Sequence, residues 1–131
     1  MKSRPPIGQA GELAFKVESQ HAIDFATGGM PAVLSTPNLI GFLERTARET
    51  ISGCLEDDER SVGAEIELRH LAPTPVGHTV HCTARVIHVG DREVTFQIEA
   101  RDGHELIARG LHQRAVVRVD RFAQRAKEKS N

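Results

Sequence analysis

Apolar and polar positions along the chain recur with two different periods, and the switches between them mark out the elements. "ELAFKVES" sets Leu13, Phe15 and Val17 against polar neighbours, the period of two that a half-buried strand shows. A shorter extended piece, "HAIDF", follows. "ATGGMPAV" then supplies Gly28 and Gly29, which suit a connection rather than an element interior. In "STPNLIGFLERTARETISGCL" the period changes. Ser35 or Thr36 can cap the first free amides, and Pro37 fits a first helical turn, where its missing N–H has no partner anyway. At about 100° per residue, Leu39, Ile40, Leu43, Ala47, Ile51, Cys54 and Leu55 fall on one broad apolar face. Gly53 and the acidic "EDDE" close this helix.

Everything afterwards returns to period two. "SVGAEIELRHLA", "HTVHCTARVIHV", "EVTFQIEAR" and "HELIARGLHQRAVVRVD" are separated by "PTPVG", Gly90-Asp91 and Asp102-Gly103. These links are too short for parallel crossovers, so the strands pair antiparallel. The pattern predicts an α+β domain: an antiparallel sheet of five to six strands curled around one long central helix. One helix covers only part of such a sheet and leaves strand edges to be paired or blocked, which favours two-fold association. Residues 1–131 form a single domain in this reading. The first nine or so residues are peripheral, and the charged "DRFAQRAKEKSN" is a short exposed tail from about residue 121.

Composition narrows the classes. A chain of 131 residues with 39% hydrophobic and 27% charged has the size and balance of one globular domain. Its formal net charge of -1, with no stripe of Lys or Arg, gives no footprint for nucleic acid. Two cysteines, Cys54 and Cys82, imply no disulfide framework and read as small buried hydrophobes. No apolar run has the length of a signal peptide core or a membrane span, so the expectation is a soluble cytoplasmic protein with no membrane partner.

Three positions stand out for chemistry. On a wheel with Leu39 at 0°, Glu44 lies at about 140°, between Ile51 and Leu55, at the border of the buried face. A carboxylate there is partly desolvated and suited to act as a base, although an i,i+4 ion pair with Arg48 explains it equally well. Thr36 is an ordinary cap, yet the first turn also presents free N–H groups to a carbonyl oxygen gaining negative charge. Counting by twos, Val62, Ala64, Ile66, Leu68 and His70 share one side of a strand, so an imidazole stands where a fifth apolar side chain belongs. It is either a satisfied core histidine or, facing a carboxylate, a proton shuttle. His78 and His81 point to opposite faces, and His21, His88, His104 and His112 have no spacing that forces convergence, so no metal site is expected. Phosphate-loop and G-x-S-x-G patterns are absent.

Together "STPNLIGFLERT", "SVGAEIELRHLAPTPVGHTV" and "DGHELIARGLHQRAVV" resemble the fluoroacetyl-CoA thioesterase-like branch of the hotdog-fold proteins, over about residues 10 to 122. The specific part is a Thr at the helix start, a Glu eight positions later and a His before "xAPTPVG". The resemblance implies a catalytic set of Thr36, Glu44 and His70 hydrolysing an acyl-CoA thioester to free acid and CoA, with Gly63 beside the bound acyl group. It also implies a homodimer, acyl-CoA bound near the subunit interface and no cofactor, CoA being part of the substrate. The fluoroacetate-resistance member carries phenylalanines in a lid before the helix. Here that lid is "ATGGMPAV", so fluoroacetyl selectivity is not carried over, and Gly28-Gly29 leaves room for a larger or different acyl group. Attack by activated water and an acyl-enzyme through Glu44 or Thr36 are both open. A hotdog hydratase or dehydratase is the poorer fit, because "NLIGFLERTARET" holds neither His nor Asp. A non-catalytic acyl-CoA sensor is the rival from another class, and retention of all three residues argues against it.

Overall fold

The alternating segments become strands whose inner residues close over one amphipathic helix. The computed structural model describes residues 1–130. In chain order these form β1 (Ala10–Lys16), α1 (Thr36–Ile51), β2 (Glu59–His70), β3 (Thr79–Val89), β4 (Glu93–Arg101), β5 (Leu106–Arg118) and α2 (Val119–Glu128). The strands make one five-stranded sheet in the order β1-β3-β4-β5-β2, with every pair antiparallel. Short turns join β3, β4 and β5 as a meander, while α1 carries the chain from the β1 edge to the β2 edge. This is the expected α+β architecture, a sheet wrapped around one long helix.

Leu39, Leu43, Thr46, Ala47 and Ile51 form the buried face of α1. They pack into a single core with the inward residues of the sheet, Phe96 the largest of them. Complete burial of a leucine or phenylalanine contributes about 1.5–3 kcal/mol, so this seam fixes α1 against the sheet. Ile40 and Leu55, expected on the same face, are half-buried at its margins. Thr46 is accommodated because its Oγ1 donates to the Phe42 carbonyl at 2.7 Å. Cys82 is fully buried, and burial pushes its thiol up to about 12 despite a hydrogen bond with Thr46, so it packs as an inert apolar group. Among the described residues, no helix is long and apolar enough to cross a membrane.

The expected single face from Val62 to His70 is broken by a β-bulge. Gly63 pairs with Arg114 and Glu65 with Gln113, so Ala64 is an extra residue in β2. A one-residue insertion exchanges the two faces of a strand. Glu59 and Ser61 are buried before the bulge, whereas Ile66, Leu68 and His70 turn inward after it. Val62 and Ala64 therefore leave the inner face, and Gly63 takes a place on it beside α1.

Three local expectations change as well. "HAIDF" forms no strand: His21 ends a 3₁₀ turn, Ser19–His21, and Ala22 makes a lone bridge to Leu34. The first nine residues make specific contacts: Gln9 Nε2 donates to the Thr50 carbonyl at 2.7 Å, and the Met1 ammonium meets Glu59 at 3.1 Å. Most of the charged tail is helical in α2, which buries no residue. Its charge hid an i, i+3, i+4, i+7 spacing of Val119, Phe122, Ala123 and Ala126, and Asp120 at the start with Arg125 and Lys127 near the end complements the helix dipole. Asn131 lies outside the described residues.

Candidate active site

The N-terminus of α1 divides two tasks between neighbouring hydroxyls. Ser35 is the cap, its Oγ accepting the Asn38 amide at 3.3 Å and Asn38 Nδ2 at 2.7 Å. Pro37 occupies the first turn as its φ preference dictates. Thr36, relieved of capping, turns its Oγ1 to His70 Nδ1 at 2.8 Å. His70 ends β2 and reaches inward because the bulge has reset the alternation. Its Nε2 is buried without a hydrogen-bond partner. Burial holds this imidazole below its ordinary value, with the Ala72 main chain acting weakly in the other direction. His70 thus has one nitrogen engaged by Thr36 and the other enclosed within the chain.

Glu44 stands two helical turns further on, a rise of about 12 Å along α1 from Thr36. Its partner is Arg114 of β5 rather than Arg48, with Nη1 to Oε2 at 3.6 Å. The Arg114 side chain is almost wholly buried, 5% exposed, while the Glu44 side chain keeps 38% exposure. Arg114 Nε donates to Ser61 Oγ and Nη2 to the Ser61 carbonyl, both at 2.9 Å. Its Nη1 also lies 3.1 Å from His112 Nε2, and His112 Nδ1 lies 2.8 Å from the Glu65 carbonyl. Burial lowers Arg114, and the Glu44 charge opposes that shift. His112 is lowered as well, first by burial and further by the Arg114 charge.

Gly63 completes this second group. A Cβ there would collide with Glu44 Oε2 and lie 3.6 Å from His112 Cε1, so only glycine lets the carboxylate rest against the strand. Within one chain the structure therefore pairs Thr36 with His70, and Glu44 with Gly63 and Arg114, at two separate stations along α1. Ser61, His112 and Arg114 were not singled out from the sequence. For His112 and Arg114 the signal was the alternation in "GLHQRAVV", which puts both on the same inward face as Val116. Among the described residues, no three His, Cys, Asp or Glu side chains are grouped to hold a metal ion.

Comparison with known proteins finds relatives over most of the chain. A family model described as fluoroacetyl-CoA-specific thioesterase matches residues 17–120. A fluoroacetyl-CoA thioesterase of Streptantibioticus cattleyicolor is 33% identical over 100 residues, covering 76% of this chain and 72% of that protein. A solved structure of the fluoroacetyl-CoA thioesterase FlK superposes with a TM-score of 0.89 at 27% identity, covering 95% of this chain and 97% of the other. A hot-dog-like protein from Thermanaerovibrio acidaminovorans gives 0.88 at 27% identity, over 96% and 93% of the two chains.

Proposed function

Because the chain belongs to the fluoroacetyl-CoA-specific thioesterase family, we infer that it hydrolyses an acyl-CoA thioester to the free acid and CoA, at a site completed by two copies of the chain. The observation that carries the second half is the separation of Thr36–His70 from Glu44–Arg114 on one helix, with residues of both groups, His70 and Gly63, on the same edge strand. β2 has β5 as its one neighbour and is twelve residues long, the kind of edge that pairs with another strand. A two-fold axis midway between Gly63 and His70 sets His70 of each protomer opposite the partner's Gly63. Glu44 lies against Gly63, so the same pairing brings Thr36 and His70 of one protomer towards Glu44 of the partner subunit. The homodimer is then the catalytic unit, and the thioester lies across its seam.

Each group has a task that its geometry supports. The first-turn amides of α1 and the Thr36 hydroxyl polarise the thioester carbonyl, where negative charge develops. The Arg114 charge draws Oε2 of Glu44 and leaves Oε1 for a water, which loses a proton to the carboxylate as its oxygen bonds the carbonyl carbon. The C–S bond breaks as the carbonyl re-forms, and the thiolate takes the proton that Glu44 gained, relayed by the His70 imidazole. In the covalent variant, a Glu44 oxygen makes the first bond and water opens the resulting anhydride, for the same products. Ahead of Thr36, residues 24–32 are exposed, and Gly28 and Gly29, with φ of 62° and 89°, leave a side-chain-free gap between Phe25 and Met30 on this side of the site.

The test is thiol release from short, branched and aryl acyl-CoAs, with His70→Ala beside the wild type. Turnover by the wild type, lost in the variant, establishes the hydrolase and its acyl class. Absence of turnover across the panel, while the same esters protect the protein from thermal unfolding, would make it an acyl-CoA-binding module instead.

A further inference from the structure

Behind Glu44 lies a buried imidazole that the reaction does not touch. His112 is 2% exposed, with Phe96 stacked on it at 6.3 Å between ring centroids and Gly63 beside its Cε1. Both ring nitrogens face partners whose hydrogen-bonding sense is fixed. The Glu65 carbonyl can only accept, so Nδ1, 2.8 Å away, carries the hydrogen. A guanidinium nitrogen can only donate, so Nε2 presents its lone pair to Arg114 Nη1 at 3.1 Å. A doubly protonated ring would set N–H against N–H in a buried site, and the lowering of His112 by burial agrees with the neutral form.

We propose that His112, as the neutral Nδ1–H tautomer, is a positioning residue whose Nε2 lone pair steers Arg114 Nη1 so that the guanidinium holds the Glu44 carboxylate in its reacting pose. The proposal rests on the reading of Glu44 as the reacting carboxylate. Ser61 already takes the Nε and Nη2 hydrogens, which fixes one edge of the guanidinium. Nη1 bonds His112 and lies 3.6 Å from Glu44 Oε2 as an ion pair, so the acceptor at Nε2 sets where the guanidinium charge stands against the carboxylate. Loss of that acceptor leaves a buried donor unsatisfied, and the guanidinium regains it by turning away from Glu44.

Two substitutions separate positioning from packing. In His112→Asn the amide sits at the level of Nδ1 and can still donate to Glu65, but nothing reaches Arg114. In His112→Gln the side-chain carbonyl reaches the level of Nε2 and can accept from Arg114. With both variants folded, His112→Asn is expected to lower kcat about tenfold to a hundredfold with little change in KM, and His112→Gln to recover most of that loss. Equal losses in the two variants, tracking their loss of thermal stability, would reduce His112 to a structural group. The tautomer is read without activity from long-range ¹H–¹⁵N imidazole correlations of the wild-type protein at neutral pH. Protonated Nδ1 with bare Nε2 is expected, and a hydrogen on Nε2 would overturn the proposal even if the variants fail to fold. Glu44→Gln run alongside separates the two readings: full activity there refutes the role of Glu44, whereas a dead Glu44→Gln with unimpaired His112→Asn refutes the role of His112 alone.

Discussion

Thr36 Oγ1 meets His70 Nδ1 at 2.8 Å across the gap between the start of α1 and the end of β2. The contact depends on two local events. Ser35 supplies the cap, which leaves the Thr36 hydroxyl uncommitted, and the bulge at Ala64 turns His70 inward. Neither residue moves far without losing the other.

A hydroxyl is what the first position requires, so Thr36→Ser is expected to retain most of the activity. Thr36→Ala is expected to lose about tenfold to a thousandfold in kcat, the scale of one oxyanion donor together with imidazole orientation. Because Ser35 is the cap, melting temperatures of both variants stay near that of the wild type. Steady-state kinetics with thermal melts decide the matter, and a large stability loss in Thr36→Ala would mean that Thr36 does the capping.

Removing the charge at position 44 tests the base. Glu44→Gln keeps the size of the side chain and a polar oxygen beside Arg114, so the fold survives while kcat falls about 10²–10⁴-fold. Single-turnover assays and circular dichroism on the same preparation check both halves.

Gly63 is silent in a list of functional side chains, yet the structure makes it a contact of Glu44. Gly63→Ala is expected to push the carboxylate off the strand, since the added methyl takes the space of Oε2. The colliding atom ends a flexible side chain, so stability changes little while kcat drops about tenfold or more. Kinetics indistinguishable from the wild type would remove Gly63 from the site.

The buried His112 and the half-buried His70 predict how stability follows pH. His70 and His112 are both held below the ordinary value of 6.5, in each case first by burial. A lowered folded-state value means that the unfolded chain binds these protons first as pH falls. Their contribution is intact above about pH 6.5 and is lost as pH drops towards the folded-state values. The lowered carboxylates act further down: Glu59 accepts the Glu56 amide, and the burial of Asp102 is outweighed by the amides of His104 and Glu105. Urea midpoints are therefore expected to fall between pH 7.5 and 5.5, and to fall less in His112→Gln. A flat or rising profile over that interval would contradict the neutral assignment of both rings.

The order of elements and the core face of α1 were legible because hydrophobic period and cap chemistry are local, whereas Thr36, Glu44 and His70 came together as a set only through the family resemblance. The bulge was not. One inserted residue leaves no mark on composition, and counting by twos through "SVGAEIELRH" put Val62 where Gly63 belongs. Arg114 was missed as the partner of Glu44 because Arg48 satisfies the helical i+4 rule, while the actual partner comes from β5, seventy residues further along the chain. The helical tail was masked by its charge, since amphipathic spacing within a polar segment carries little weight against composition.

The most direct test of a site shared between two protomers is subunit mixing. His70→Ala and Glu44→Gln homodimers, each inactive, are unfolded and refolded together. If Thr36 and His70 work with Glu44 of the partner subunit, every mixed dimer has one doubly damaged site and one intact site, and the mixture recovers about a quarter of wild-type activity. If instead the three residues act within one chain, no mixed dimer holds an intact site, and the refolded mixture stays as inactive as its parents.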